Sequence, residues 1–269
     1  MLSLLIICFL AGSLGAILQG MLGIGTGIII VPVLTFILPY YHFHPEQTIH
    51  IAIATSMAAI TINSVTALMN HYRYQTIDWK MFRHLVVFCT TGSGIGALLA
   101  TFLNGHFLKI IFSIFLISLA SWLLFKKNAH ETSESMPSIE ELTINIKWNG
   151  LRIGCLASLV GSAGGILMVP FLRKLQYPMR YAVGTSTLIG LPIALTGSLI
   201  YIVLGMVKIP VSPFTIGYIH WPALLAITTA GLFGAPLGVK LSTRVPAVVL
   251  QRLFALIMLA ISLNMLRIK

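Results

Sequence analysis

Met21-Leu-Gly-Ile-Gly-Thr-Gly-Ile-Ile-Ile-Val-Pro-Val-Leu34 returns 138 positions later as Leu159-Val-Gly-Ser-Ala-Gly-Gly-Ile-Leu-Met-Val-Pro-Phe-Leu172. Gly23/Gly161, Gly27/Gly165, Val31/Val169, Pro32/Pro170 and Leu34/Leu172 coincide. Glycines followed by proline interrupt a helix. A duplicated interruption in an apolar chain is the sequence pointer to a transporter binding site.

The repeat extends outward from this stretch. Ala52-Ile-Ala-Thr-Ser56 matches Ala182-Val-Gly-Thr-Ser186 at an offset of 130, and Trp79, Gly92, Gly96 and Phe112 match Trp221, Gly234, Gly238 and Phe254 at an offset of 142. The offset changes near Pro39–Glu46 and Gly205–Gly217, both loop-like. The chain therefore reads as a first membrane repeat over 1–125, a solvated linker over 126–147 and a second repeat over 148–269. The linker is rich in Lys, Ser and Thr and holds four of the six acidic residues.

Composition sets the solvent. Mean hydropathy is +0.96, with 57% hydrophobic and 9% charged residues, outside the range of soluble domains. Long apolar runs without alternation predict helices rather than a barrel. The formal charge of +11 is scattered at helix ends, without the clustering that nucleic acid demands. Topology and lipid headgroups account for it, so the bilayer is an expected partner and nucleic acid is not. Cys8, Cys89 and Cys155 lie in apolar stretches with no metal-ligand spacing and read as small buried hydrophobes. His42-Phe-His44 is too little for a metal site, and no cofactor is expected. Leu2–Ala16 imitates a signal peptide but lacks a basic start and leads straight into the repeated motif, so it is read as mature membrane structure.

Long helices are expected over Glu46–Tyr72, Phe82–Leu103, His106–Phe125, Arg180–Leu204, Ile219–Leu241 and Ala247–Leu266. The motif segments, Leu2–Leu38 and Trp148–Gln176, either cross once or return as helix–break–helix hairpins. Lys and Arg decide. Single crossings divide them ten against seven, whereas returning hairpins place Arg73, Lys80, Arg83, Lys126, Lys127, Lys147, Arg152, Arg173, Lys174, Arg180, Lys240, Arg244 and Arg252 together, thirteen against four. The expected fold is thus an all-α integral membrane protein of two inverted-topology repeats, each a broken-helix hairpin plus three transmembrane helices. Both termini are extracytoplasmic on this reading. From Asn149 a helix reaches Gly161 after about 20 Å, short of a ~30 Å hydrocarbon core, so the second tip ends inside the bilayer.

A helix that starts after a glycine break offers free backbone N–H groups and the positive end of its dipole, an anion site without charged side chains. Gly23, Gly25, Gly27, Gly161, Gly164 and Gly165 permit the turn and the approach of a ligand. Thr26 and Ser162 can cap or donate hydroxyl bonds, and Pro32 and Pro170 bend the half-helix a turn later. Thr55-Ser56 and Thr185-Ser186-Thr187 either donate to a bound oxyanion or bond carbonyls of their own helix. Asn63, Ser64, Thr66, Thr196 and Ser198 rank second. Acidic and basic side chains are missing from the deep helix positions, so a carboxylate proton relay has no residue. Trp79, Trp148 and Trp221 open helices as interfacial anchors, with His50, His71 and His84 near helix ends. The glycine-rich segments Thr91–Ala97 and Gly231–Gly238 can pack within the chain or against a second copy, which leaves a homodimer open.

Taken together, the Val-Pro-terminated glycine segments, the Ala-Thr-Ser and Gly-Thr-Ser tracts and the Gly92–Gly96 and Gly234–Gly238 pairs resemble the sulfite exporter TauE/SafE family, the sulfur-containing anion permeases. The likeness covers nearly the whole chain. It implies an inner (plasma) membrane, multi-pass permease for a small anion such as sulfite or an organosulfonate. The family motif transfers as Gly23, Gly27, Pro32, Gly161, Gly165 and Pro170. Thr26 and Ala163 depart from the longer glycine run common there, and they bear on the substrate rather than the fold. Paired nucleophile and base, metal ligands and cofactor fingerprints are lacking, which argues against an enzyme. A non-transporting membrane scaffold is the alternative.

Overall fold

The computed structural model describes residues 2–22, 25–125, 145–162, 164–208, 213–242 and 247–267. Among the described residues the architecture is helical apart from one small hairpin. Helices α1 (Leu2–Leu22), α2 (Gly27–Ile37), α3 (Pro45–Arg73), α4 (Trp79–Phe102) and α5 (Gly105–Phe125) precede the linker. Helices α6 (Asn145–Val160), α7 (Gly165–Lys174), α8 (Met179–Lys208), α9 (Trp221–Ser242) and α10 (Ala247–Arg267) follow it. Strands β1 (Thr215–Ile216) and β2 (Ile219–His220) form the antiparallel hairpin before α9. Among the described residues α3, α4, α5 and α8 are long and apolar enough to cross a membrane, and the apolar stretches Leu2–Ile17, Trp221–Gly234 and Ala255–Arg267 lie in α1, α9 and α10.

Both breaks fall where the glycines predict, and the chain turns back at each. The Ser3 hydroxyl lies 2.6 Å from the Tyr41 hydroxyl, so the start of α1 meets the 3-10 turn (Leu38–Tyr41) that ends α2. In the second segment Gly164 lies beside Ile153 and Ala157 of α6.

Helix boundaries shift by amounts the caps explain. Helix α4 begins at Trp79 rather than Phe82. Asp78 is its N-cap, with Oδ1 accepting the backbone N–H groups of Lys80 at 2.8 Å and Met81 at 3.1 Å. Helix α8 runs to Lys208, four residues beyond expectation. Helix α9 starts at Trp221 rather than Ile219, because Ile219 and His220 pair in β2. Helix α6 begins at Asn145, inside the stretch read as linker, and 126–144 lie outside the described residues.

Packing is reciprocal. Helix α1 lies along α9 and α6 along α4, each seam made of small residues. Gly92 and Gly96 of α4 face the carbonyls of Leu151 and Cys155, and Gly154 of α6 faces that of Cys89. On the matching seam Gly12 faces Ile227, and Gly234 faces Ser13. Without side chains at those points, backbones approach closely, which is how helices associate where no hydrophobic force separates them from lipid. These glycines are therefore used inside the chain.

Helix α4 also shows how α3 and α8 run. Its N-cap Asp78 meets Thr185 and Tyr177 around the start of α8. Its far end meets His50 near the start of α3, where Nε2 lies 3.0 Å from Ala100 O and 3.1 Å from Leu103 O. Lys208, the last residue of α8, donates to Thr101 O there. Helices α3 and α8 thus begin at opposite ends of α4. His50 and Lys208 take carbonyls that the end of α4 leaves free. His50 is buried rather than exposed at a surface.

Candidate functional site

The two breaks meet each other. Gly25 sits against the carbonyl of Ser162, and Gly27 against the carbonyl of Gly161. A Cβ at Gly27 would lie 2.8 Å from Ser56 Oγ and closer still to Gly161 O. Gly161 and Gly164 have φ of +71° and +76°, the left-handed region where an L side chain is strained. Here glycine is demanded by close approach in one tip and by backbone sign in the other. Gly23 and Ala163 lie outside the described residues.

Ser56 fastens the contact, donating to Gly161 O at 2.9 Å across 105 residues of chain. It is the twelfth residue of α3, about 17 Å from the start of that helix at 1.5 Å per residue. That is near the middle of a ~30 Å apolar layer. Val31 of α2 and Ile53 of α3 pack against Gly161, and Ile193 of α8 against Gly164.

Beyond the contact, both half-helices start with amides that have no intrahelical acceptor among the described residues. In α2 the Thr26 carbonyl accepts from Ile29 and Ile30, and in α7 the Gly164 carbonyl accepts from Leu167 and Met168. The amides of Gly27, Ile28, Gly165 and Ile166 come before the first intrahelical acceptors. Proline at 32 and 170 stays within continuous α2 and α7. The side chains do not cap as expected. Thr26 is the N-cap of α2 but has helical φ and ψ and makes no side-chain cap bond, while Gly164, not Ser162, caps α7. Thr26 is 2% and Ser162 1% exposed, and among the described residues neither hydroxyl has a hydrogen-bond partner. Buried hydroxyls are nearly always paired, so two orphans at one junction mark it as a place for something else.

The Thr-Ser tracts divide between roles. Thr185 Oγ1 accepts the Asp78 backbone N–H at 2.9 Å, and Thr55 Oγ1 accepts the His220 backbone N–H at 3.0 Å. Each threonine thereby docks the start of a helix from the other half of the chain. Ser186 and Thr187 return to Val183 O in their own helix. Of the second-ranked residues, Thr66 and Ser198 also bond their own helices, and Asn63 packs on Gly231 with Oδ1 unpartnered among the described residues.

Three residues that sequence reasoning passed over belong to this frame. Asp78 Oδ2 accepts the Tyr177 hydroxyl at 2.8 Å. Burial and the neighbouring carboxylate push the Tyr177 phenol well above its usual range, so it stays a donor. His220 is the counterpart of Asp78, as the 142-residue offset of Trp79 and Trp221 signals. Its Nδ1 accepts the Ala223 N–H at 3.1 Å, the same capping service Asp78 performs.

Among the described residues no group of three or more His, Cys, Asp or Glu could hold a metal. The family model described as Sulfite exporter TauE/SafE matches residues 8–265. A probable membrane transporter protein of Haemophilus influenzae is 28% identical over 98% of this chain and 99% of its own length. One of Methanocaldococcus jannaschii is 28% identical over 90% of this chain and 86% of its own length. The probable membrane transporter protein YunE of Bacillus subtilis is 26% identical over 96% and 94% respectively. No solved structure matches the chain.

Proposed function

The chain belongs to the sulfite exporter TauE/SafE family, and we propose that it moves a small sulfur-containing or organic oxyanion, such as sulfite or an organosulfonate, bound where the two glycine tips meet. Its relatives are membrane transporters, not enzymes, and the chain is read as one of them. The observation that carries the substrate reading is the pair of buried hydroxyls, Thr26 Oγ1 and Ser162 Oγ, at the starts of the two half-helices and unpartnered among the described residues. Free amides and hydroxyls at aligned dipole ends bind negative charge. They bind it without a basic side chain that would hold the ion too tightly to release.

The repeats 1–125 and 148–269 are read as halves of inverted topology. The opposite directions of α3 and α8, and the reciprocal seams of α1 on α9 and α6 on α4, support this. Each tip then serves one side of the membrane, and alternating access opens one hairpin while the other stays closed. On this reading, contact between the tips closes the path to both sides. The excess of Lys and Arg on the loops after α3 and before α6 assigns those to the cytoplasm of a plasma-membrane protein, with both termini outside.

The test is flux of labelled sulfite into proteoliposomes, with and without a pH gradient, competed by acetate, taurine, thiosulfate and sulfoacetate. Saturable flux with an order of competition is expected, weakened in Thr26→Val and Ser162→Ala. Folded protein that carries none of these anions would remove the reading and leave a non-transporting scaffold.

A further inference from the structure

We propose that His220 is an anion-contacting residue of this carrier, its Nε2–H donating to an oxygen of the carried ion; the proposal rests on the anion-carrier reading above. His220 is fully buried, at 0% exposure. Its backbone N–H is used on Thr55, and its Nδ1 accepts the Ala223 N–H. A ring nitrogen that accepts carries the lone pair, so the proton of the neutral ring sits on Nε2. That N–H has no partner among the described residues.

The pseudo-equivalent position shows what a completed arrangement looks like. Asp78 also docks by its backbone on a mid-helix threonine and also caps its helix with one side-chain atom. Its second oxygen is filled by the hydroxyl of Tyr177, from the turn between α7 and α8. The matching turn, between α2 and α3, sets Phe43 against His220 in a T-shaped pair, with ring centroids 5.4 Å apart. Phe214 stacks on the other side at 6.5 Å. Phenyl rings accept no ordinary hydrogen bond from the imidazole. One end of the molecule thus holds a finished donor–acceptor pair, and the other holds a donor alone among aromatic rings. A lone buried donor suits an oxyanion and repels a cation.

Position supports the same assignment. His220 is bound to Thr55, and the next residue, Ser56, holds the tip at Gly161. An anion approaching the tips from the end where α3 begins passes the Phe43–His220 pair.

His220→Asn tests this because asparagine keeps an N-cap acceptor and removes the distal N–H. The half-saturation concentration for labelled sulfite is expected to rise about tenfold or more, the scale of one hydrogen bond to a charged group, with maximal rate and melting temperature near wild type. In ¹⁵N-histidine-labelled wild-type protein, the His220 Nε2 resonance should shift saturably as sulfite or acetate is added. A folded His220→Asn with wild-type half-saturation would overturn the proposal. So would an Nε2 resonance indifferent to an anion that the wild type carries, and this arm decides if the variant fails to fold. Wild-type protein that carries neither anion would instead overturn the carrier reading, and this proposal with it.

Discussion

Gly27→Ala is the sharpest test of how the tips are built. The added Cβ would sit 2.8 Å from Ser56 Oγ and closer than 3.0 Å to Gly161 O, where ordinary contact begins at 3.4 Å. Reaching that distance requires the Gly161 carbonyl to retreat by over an ångström, and that carbonyl is backbone. The retreat breaks the Ser56 hydrogen bond, a loss of about 1 kcal/mol. Overpacking adds about 1–3 kcal/mol, against which alanine returns at most about 1 kcal/mol of helix propensity. The expected net loss is about 1–3 kcal/mol, read as a lowered melting temperature in detergent together with lost flux. Gly94→Ala is the matched control. Its Cβ would meet Ile200 at 3.6 Å, ordinary contact inside a helix, so it should be neutral or stabilising by up to about 1 kcal/mol. A double-mutant cycle sharpens the test: with Ser56→Ala already present, Gly27→Ala should cost less, because the bond it breaks is gone. If Gly27→Ala melts and transports like wild type, the tips do not touch as described and the reasoning is wrong.

Other outcomes follow from single contacts. Thr26→Val should leave melting unchanged or slightly raised, since no hydrogen bond is lost and an orphan hydroxyl is removed, while the half-saturation concentration for the anion rises. Gly164→Ala should cost about 1–2 kcal/mol in a melting assay through its positive φ, and Gly164→Asn less, because asparagine tolerates that region. Tyr177→Phe should cost about 1.5–3 kcal/mol for a hydrogen bond to a carboxylate. Because the folded-state pKa of Tyr177 is raised, its contribution is complete below the unfolded-state value of about 10 and declines as pH climbs past it. Melting curves between pH 8 and 11 should accordingly show a shallower alkaline decline in Tyr177→Phe.

Much of the frame was legible because it depends on local chemistry. Glycine breaks and proline placed the starts of α2 and α7 at Gly27 and Gly165, and apolar length placed the long helices. Trp79 was legible as a residue that opens a helix, but the apolar span alone began at Phe82, because the Asp78 cap that admits Trp79, Lys80 and Met81 shows only in the structure. Details of the site depend on the partner half, which no local pattern encodes. Ser56 and Ser186 are matched in sequence, yet one crosses to Gly161 and the other folds back to Val183. Thr26 holds the N-cap position of α2, yet its side chain does not cap, since its own backbone is already helical. His220 carried only a faint signal, its place before Trp221 as Asp78 stands before Trp79.

The seam of α1 along α9 has a consequence for biogenesis. Gly12 faces Ile227, so α1 leaves the ribosome more than 200 residues before its partner exists. Until then its small-residue face is presented to lipid, and native closure depends on a contact of very long range, which is slow to form. A chain stopped before Trp221 would hold α1 to α8 yet lack the surface on which α1 packs. Native closure of this seam therefore comes late, when α9 arrives and α1 docks on it.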